Sequence, residues 1–135
     1  MEDSSAQFAG VLETSLYVRD LDGAAAFYGE VLGLRLIGEE PGRSLFYRIA
    51  SGSLLLLFVA EATAQGGSLP GHGASGPGHC CLRASQGCYR ALRERLASAG
   101  VDIEHDAKWP AGQSFFFRDP DGNLLEIAEC DIWPR

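Results

Sequence analysis

The sequence is poor in positive charge. Its 135 residues hold 11 Lys and Arg against 18 Asp and Glu, which gives a formal net charge of −7 at pH 7. Nucleic acids and anionic membrane surfaces are bound by basic patches, so this balance argues against both kinds of partner. It does not argue against a small anionic molecule held by one local arginine. Hydrophobic residues make up 46% of the chain, which is enough for a packed core.

The sequence also lacks long apolar runs and an export signal. No hydrophobic stretch approaches the roughly 20 residues that are needed to span a bilayer. Residues 1–10 carry Glu2 and Asp3 where a secretory signal has a basic segment followed by an apolar one. We therefore expect no secretory signal and a cytoplasmic location.

Paired cysteine motifs are missing as well. The four cysteines have no C-x-x-C spacing, which disfavours a cysteine zinc site. Their even number is compatible with two disulfides, but without an export signal free thiols are the favoured interpretation. The four are Cys80, Cys81, Cys88 and Cys130.

The chain does contain an internal repeat. Residues 44–56 read SLFYRIASGSLLL and residues 114–126 read SFFFRDPDGNLLE, an ungapped offset of 114 − 44 = 70. Each copy predicts a strand, a turn at a glycine and a second strand. The chain is therefore predicted to contain two copies of one supersecondary unit.

Around this repeat, hydrophobic periodicity predicts the same element order twice, which is strand, helix and three strands. The first copy has strands at 12–18, 34–38, 45–49 and 54–59, with a helix capped by Asp20 and ended by Gly33. The second copy has strands at 78–84, 101–106, 113–118 and 123–129, with Ser85 as candidate N-cap and Gly100 as helix stop. Between them, a glycine-rich connection is predicted to be a functional flap or a linker.

The two copies differ at one chemically important position. Leu56 is apolar, whereas its counterpart Glu126 is an acid within the same apolar strand pattern. A carboxylate on a buried strand is costly unless it is paired or binds a metal. Glu13 and His79 occupy matching positions at the first strand of each copy. Two carboxylates and an imidazole suit a divalent metal, and three protein ligands leave positions open for water or substrate.

Several motifs resemble the glyoxalase/bleomycin resistance protein/dioxygenase superfamily, also called the vicinal oxygen chelate superfamily. They are LYVRDL at 16–21, FY at 27–28, VLGL at 31–34, GH at 78–79 and FRDPDGNLLE at 117–126. The resemblance implies an α+β fold in which two βαβββ modules form a curved mixed sheet around a cavity. We expect a single glyoxalase-like domain over residues 11–130, with module 1 at about 11–60, a Gly-rich linker at 61–77 and module 2 at about 78–130.

By this resemblance Glu13, His79 and Glu126 match three metal-ligand positions of the family, and Leu56 matches a fourth that it cannot fill. The set departs from the four ligands of glyoxalase I. It is similar to the three-ligand sites of fosfomycin-modifying transferases and extradiol dioxygenases, although Glu13 stands where a histidine is usual there. The resemblance implies a divalent ion such as Mn²⁺, Ni²⁺, Fe²⁺ or Zn²⁺, with Glu13 or Glu126 as the catalytic base.

A substrate pocket is expected beside these ligands. Its candidate residues are Tyr17, Phe46, Phe58, Cys81, Arg83, Trp109 and Phe116. The competing interpretation is that the aromatic residues fill the core and that Cys81 is a small buried hydrophobic residue. His72 and His105 have no strand-matched partners and are interpreted as surface residues.

The leading hypothesis is a metal-dependent glyoxalase-like enzyme, of lyase, isomerase or dioxygenase type, that acts on a small molecule chelated through vicinal oxygens. The alternative is a metal-free protein, like the bleomycin-resistance proteins, that sequesters a drug or metabolite. The resemblance also implies a homodimer. The sequence leaves open whether Glu13 joins His79 and Glu126 within one chain or across two.

Overall fold

The computed structural model describes residues 7–134 and contains two four-stranded mixed sheets. The first is built from β1 (Glu13–Val18), β2 (Arg35–Glu40), β3 (Ser44–Ile49) and β4 (Ser53–Val59), with α1 (Leu21–Ala25) continued by a π-helical segment (Ala26–Val31). After α2 (Ala60–Ala64), the second is built from β5 (His79–Arg83), β6 (His105–Trp109), β7 (Gly112–Arg118) and β8 (Leu124–Ala128), with α3 (Tyr89–Ser98).

The strand orders are β1-β4-β3-β2 and β5-β8-β7-β6. In each sheet the first strand runs parallel to the last, and the other neighbours are antiparallel. The predicted α+β class and the two βαβββ modules are confirmed. Among residues 7–134, no helix has the length and apolar character needed to cross a bilayer.

The sequence repeat corresponds to a structural repeat. On β3 and β4, Phe46 lies opposite Leu56, and on β7 and β8, Phe116 lies opposite Glu126. The offset of 70 residues is therefore kept in the pairing itself. Glu126 takes the place in module 2 that Leu56 has in module 1.

Some element boundaries differ from the predictions. The second strand of module 2 begins at His105 rather than at residue 101, because Val101 and Ile103 pack against the core without joining the ladder. Helix α3 begins at Tyr89, and Ser85 is not its N-cap, since the Ser85 carbonyl instead accepts the Cys88 N–H in a turn. The predicted linker also contains a short helix, α2.

Both modules contribute to one hydrophobic core. On β1, Leu16 and Val18 point into it, whereas residues 13, 15 and 17 alternate to the other side. The ring of Phe27 from the π-helical segment lies 6.2 Å from the ring of Phe117 on β7. The sides of the two sheets that face the helices thus share one core. The opposite side of each sheet is left for other contacts.

A buried carboxylate joins the modules at the turn between β7 and β8. Asp119 is 5% exposed and accepts the Tyr28 hydroxyl at 2.6 Å and the Asn123 side-chain amide at 2.8 Å. Its other oxygen accepts the backbone N–H groups of Asp121 and Asn123. Burial and the adjacent Asp119 hold the pKa of Tyr28 well above its usual range, so the phenol stays a donor.

Asn123 extends this junction to the first strand of each module. Its amide nitrogen donates to the Tyr17 carbonyl at 3.0 Å, and its oxygen accepts the Gly78 N–H at 2.7 Å. Gly78 packs tightly here, because an added Cβ would lie 2.9 Å from a methyl carbon of Leu16. The junction therefore positions both Tyr17 on β1 and His79, the residue after Gly78.

Replacing Tyr28 with Phe removes one hydrogen bond to a buried carboxylate. We expect the free energy of unfolding to fall by about 1.5–3 kcal/mol, the usual range for a hydrogen bond to a charged group. Chemical denaturation measures it. Tyr89→Phe is the matched control, since Tyr89 is also a buried tyrosine but its hydroxyl has no hydrogen-bond partner among residues 7–134. Equal losses in the two variants would contradict this role for Asp119.

Candidate metal and substrate site

Each sheet has a site face, which we define as the side turned away from the shared core. In module 1 it is formed by Glu13, Ser15 and Tyr17 of β1, with Leu54, Leu56 and Phe58 in register on β4. In module 2 it is formed by His79, Cys81 and Arg83 of β5, with Leu124, Glu126 and Ala128 in register on β8. Side chains in register lie on one side of a sheet, so the candidate residues of each module are neighbours.

The structure brings His79 and Glu126 together. The imidazole Nε2 lies 3.4 Å from the Glu126 Oε1, and the Nδ1 lies 2.9 Å from the Leu124 carbonyl oxygen. A carbonyl only accepts, so Nδ1 carries a hydrogen and Nε2 of the neutral ring presents its lone pair to the carboxylate. Two acceptors at this distance repel unless a proton or a metal cation lies between them.

Exposure of the pair is unequal. Glu126 is 7% exposed, whereas the His79 side chain is 48% exposed. A buried carboxylate needs a positive partner or several hydrogen-bond donors, and the open histidine gives an ion a path to Glu126. The hydrogen bond from Nδ1 to a backbone carbonyl is the usual device that orients a metal-binding histidine.

Cys81 lies directly beside Glu126 on the neighbouring strand. Cys81 is exposed at the surface, but partial desolvation of its thiol, followed by the negative charge of Glu126, raises the pKa of Cys81 to about 12. The thiol is therefore protonated at neutral pH. All four cysteines are free, as the sequence predicts.

Glu13 is not part of the His79–Glu126 pair within one protomer. It is exposed at the start of β1 and lines a cavity of about 620 Å³ together with Cys81 and Arg83, and neither His79 nor Glu126 borders that cavity. Among residues 7–134, no three His, Cys, Asp or Glu side chains converge closely enough to hold one metal ion. One protomer thus assembles two of the three predicted ligands.

The site face of module 1 is aromatic. Phe58 lies 6.5 Å from Tyr17 and 6.3 Å from Phe46, measured between ring centroids. Leu56, which is 6% exposed, lies opposite Phe46 at the position that Glu126 has in module 2. At this position the site face of module 1 is apolar, whereas the site face of module 2 carries the carboxylate of Glu126.

The site face of module 2 is lined by Phe116, whose ring stacks on His79 at 6.3 Å and packs on His105 at 5.9 Å. Trp109 is 43% exposed and donates its indole N–H to the Ser114 hydroxyl at 2.9 Å. The Phe116 ring thus lies beside the candidate ligand His79. His105 is exposed, as predicted.

Arg83 is exposed, and no ion-pair partner for it is found in the described part of the chain. It is the one guanidinium among the residues that form the site face of module 2 on β5 and β8. An anionic group of a ligand would meet it there.

His72 has a larger role than the sequence predicts. It is exposed, but its Nδ1 lies 2.8 Å from the Tyr17 hydroxyl and its ring packs edge-on against Phe58 at 4.6 Å. The glycine-rich segment before β5 therefore folds back onto the site face of module 1. The partners are far apart in sequence and His72 lies outside any periodic element, so no sequence signal pointed to it.

The family of the chain follows from comparison with known proteins. A model of the Glyoxalase/Bleomycin resistance protein/Dioxygenase superfamily matches residues 10–127. The chain belongs to this superfamily. Members of the superfamily commonly use divalent metals, and the proximity of His79 to Glu126 agrees with that chemistry.

Relatives within the glyoxalase superfamily carry enzyme names as well as binding-protein names. The crystal structure of lactoylglutathione lyase from Agrobacterium tumefaciens is 34% identical, with a TM-score of 0.86 over 94% of this chain and 98% of that one. A probable lactoylglutathione lyase from Vibrio parahaemolyticus is 26% identical over 88% of this chain and 89% of its own length. TnmS3, an antibiotic binding protein from Streptomyces sp. CB03234, is 26% identical, with a TM-score of 0.67 over 91% and 97% of the two chains.

The contact between Cys81 and Glu126 predicts a change in thiol reactivity. Glu126→Gln removes the negative charge that helps to raise the pKa of Cys81, so alkylation of Cys81 should become several-fold faster at about pH 8. Mass spectrometry of chelator-treated protein labelled with iodoacetamide measures the rate at each cysteine. Glu129→Gln, a nearby acid on the same chain segment, is the control. Identical Cys81 rates in the two variants would contradict the placement of Glu126.

Proposed function

We propose that the chain is a divalent-metal-dependent, glyoxalase-like enzyme that acts on a small molecule offering two adjacent oxygens. The observation that carries this proposal is the 3.4 Å approach of His79 Nε2 to the buried Glu126 carboxylate, with Nδ1 of the same ring held by the Leu124 carbonyl. A buried carboxylate that faces an imidazole nitrogen is unfavourable by itself and becomes favourable when a proton or a metal cation is shared.

Glu13 of a second protomer completes the ligand set in this proposal. His79 and Glu126 supply two ligands from module 2, and the exposed Glu13 supplies the third from module 1 of the partner. The resulting set of one imidazole and two carboxylates suits ions such as Mn²⁺, Fe²⁺, Ni²⁺ or Zn²⁺ and leaves positions open for substrate.

Exposed apolar side chains around Glu13 support a homodimer. Val11 and Trp133 are 75% and 76% exposed and line the same cavity as Glu13. Phe8 and Leu12 are also largely exposed near the start of β1. Large apolar side chains grouped in this way are typical of a surface that another protein covers.

When bound, the metal supplies Lewis acidity that stabilises negative charge developing on a chelated oxygen. The residues of the chain do the remaining work. Glu13 and Glu126 are the candidate bases that take a proton from the carbon next to that oxygen. The aromatic side chains Tyr17, Phe46 and Phe58 exclude water, which strengthens electrostatic interactions at the reacting atoms.

The lyase or isomerase type is the favoured reaction class. Both the 34% identical structure and the 26% identical curated relative bear the name lactoylglutathione lyase, whereas no relative of comparable identity described above bears a dioxygenase name. S-lactoylglutathione is therefore the first compound to assay. Leu56 cannot act as the fourth metal ligand that glyoxalase I has. Other small molecules with two adjacent oxygens should therefore be assayed as well.

A second candidate function is metal-free sequestration of a drug or metabolite. The aromatic site face of module 1 and the 26% identity to an antibiotic binding protein favour it. In this alternative the His79–Glu126 pair would hold a proton between its two acceptors, and the ligand would lie on the rings.

Metal analysis tests the leading proposal. Purified protein should contain close to one divalent ion per chain by mass spectrometry, and His79→Ala or Glu126→Ala should each remove most of it, because either change deletes one of three ligands. His105→Ala is the control, since this histidine shares the face without contacting Glu126. Wild-type protein without metal, and with ligand binding unchanged in both variants, would instead support sequestration.

Mixing two inactive variants tests whether the site is shared. If Glu13 and His79 come from different protomers, a heterodimer of Glu13→Ala and His79→Ala chains has one intact site. Equal mixing with subunit exchange should then restore about a quarter of the wild-type metal content. A site built within one chain would recover none, because every site would then carry one of the two defects.

A further inference from the structure

The network around His72 carries an inference that does not involve the metal. Four side chains form a continuous run, since Arg43 contacts Thr63 at 3.2 Å, Thr63 contacts His72 at 3.4 Å, and His72 contacts Tyr17 at 2.8 Å. Thr63 is fully buried on α2, whereas Tyr17 lies on the site face of module 1. The run therefore leads from the interior to the candidate substrate surface.

The chemistry of Arg43 fixes the direction of the first hydrogen bond in this run. A guanidinium donates and cannot accept, so the Thr63 hydroxyl oxygen is the acceptor and its hydrogen is free for another partner. The ring nitrogen Nε2 of His72 lies 3.4 Å from the Thr63 oxygen, and the tautomer decides the direction: the Nδ1–H form accepts the Thr63 hydrogen, whereas the Nε2–H form donates to the second lone pair of that oxygen. A neutral imidazole that accepts at Nε2 carries its hydrogen at Nδ1, and Nδ1 then donates to the Tyr17 oxygen.

The consequence falls on the Tyr17 hydroxyl. In the Nδ1–H form of His72 the Tyr17 oxygen accepts from the ring, so the phenol hydrogen is not used within the run and is free for another acceptor. Phe58 packs against both the Tyr17 and the His72 rings. Because Phe58 is only 7% exposed, an acceptor that reaches this hydrogen lies against the partly exposed ring of Tyr17 itself.

The segment that carries His72 is held in place. The backbone N–H of His72 donates to the Thr63 carbonyl at 3.1 Å. A Cβ at Gly71 would collide with the carbonyl of Ala64, so the chain approaches α2 as closely as glycine permits. His72 is thus positioned by backbone contacts as well as by its ring.

We propose that the Tyr17 hydroxyl is a substrate-binding hydrogen-bond donor, oriented by the relay from Arg43 through Thr63 and His72. The group it takes is a carbonyl or carboxylate oxygen attached to an aromatic or other planar apolar body that lies against the partly exposed rings of Tyr17 and Phe46, which flank the buried Phe58. His72 and Thr63 are positioning residues, since they act through Tyr17. The proposal rests on the proposed function in one respect, which is that this face lines the substrate cavity.

Module 2 has no counterpart of this relay. Arg83 occupies on β5 the place that Tyr17 occupies on β1, four residues after the first candidate ligand in each case. The two faces would then have separate tasks. Module 2 holds the ion, and module 1 recognises the far end of the substrate.

The hydrogen-bond direction is tested by the tautomer of His72. Long-range proton–nitrogen NMR correlations of chelator-treated, labelled protein distinguish the two tautomers, and the chain has three histidines, so a His72→Asn spectrum assigns the signal. We expect the Nδ1–H form in the wild type and a shift toward Nε2–H in Thr63→Val. An Nε2–H wild type would overturn the relay.

Substrate recognition is tested with benzoylformate, which joins an aromatic ring to adjacent carbonyl and carboxylate oxygens. Binding is measured by calorimetry with metal-stripped protein, so loss of the metal site does not affect the result. Tyr17→Phe should weaken binding about tenfold, as expected for one hydrogen bond to a charged or strongly polar oxygen. Tyr89→Phe, on the helix side of the sheet, should leave it unchanged.

Variants of His72 distinguish a role in orienting Tyr17 by a hydrogen bond from a role in packing alone. His72→Ala should weaken benzoylformate binding nearly as much as Tyr17→Phe, whereas His72→Asn should restore most of it, because the asparagine N–H replaces the Nδ1–H. No saturable binding to the wild type, or equal affinity in the wild type and Tyr17→Phe, would overturn the proposal. Neither result would depend on whether the protein binds a metal.

Discussion

The buried Asp119 carboxylate is the constraint on which the arrangement of both modules depends. It collects donors from Tyr28 in module 1 and from Asp121 and Asn123 in module 2, so its negative charge is compensated without any cation. Asn123, fixed by Asp119, then bonds to the backbone at Tyr17 and Gly78. One carboxylate thereby sets the relative placement of β1 and β5, the strands that carry the candidate site residues.

Duplication with divergence explains how the two site faces differ. The pairing register is the same in both modules, so a substitution changes the chemistry at a fixed place. Leu56 against Glu126 makes one face apolar and the other charged, and Tyr17 against Arg83 replaces a phenol with a cation. The superfamily fold thus provides two equivalent walls, and side-chain identity alone decides what each of them contacts.

The sequence was sufficient to predict the repeat, the module order and the neighbourhood of His79 and Glu126, because strand alternation and a fixed offset determine which residues share a face. It was not sufficient for His72, whose contacts arise where a glycine-rich segment folds back. Local patterns do not encode such long-range contacts. The predicted start of β6 was wrong for a related reason. Val101 and Ile103 alternate with polar residues as in a strand, but they pack against the core outside the sheet. The domain boundaries, at residues 11–130, and the place of Glu13 in the ligand set stay predictions.

Gly78 lies between the hydrophobic core and the candidate ligand His79, and this position limits the substitutions that the chain can accept. The residue before His79 is tightly packed, because a Cβ there would lie 2.9 Å from a methyl carbon of Leu16 on β1, a side chain that is 3% exposed. A larger residue at position 78 therefore requires the Leu16 side chain to shift or to become smaller. Positions 16 and 78 should therefore covary among close homologues. Substitutions in the core are coupled through this contact to the position of His79.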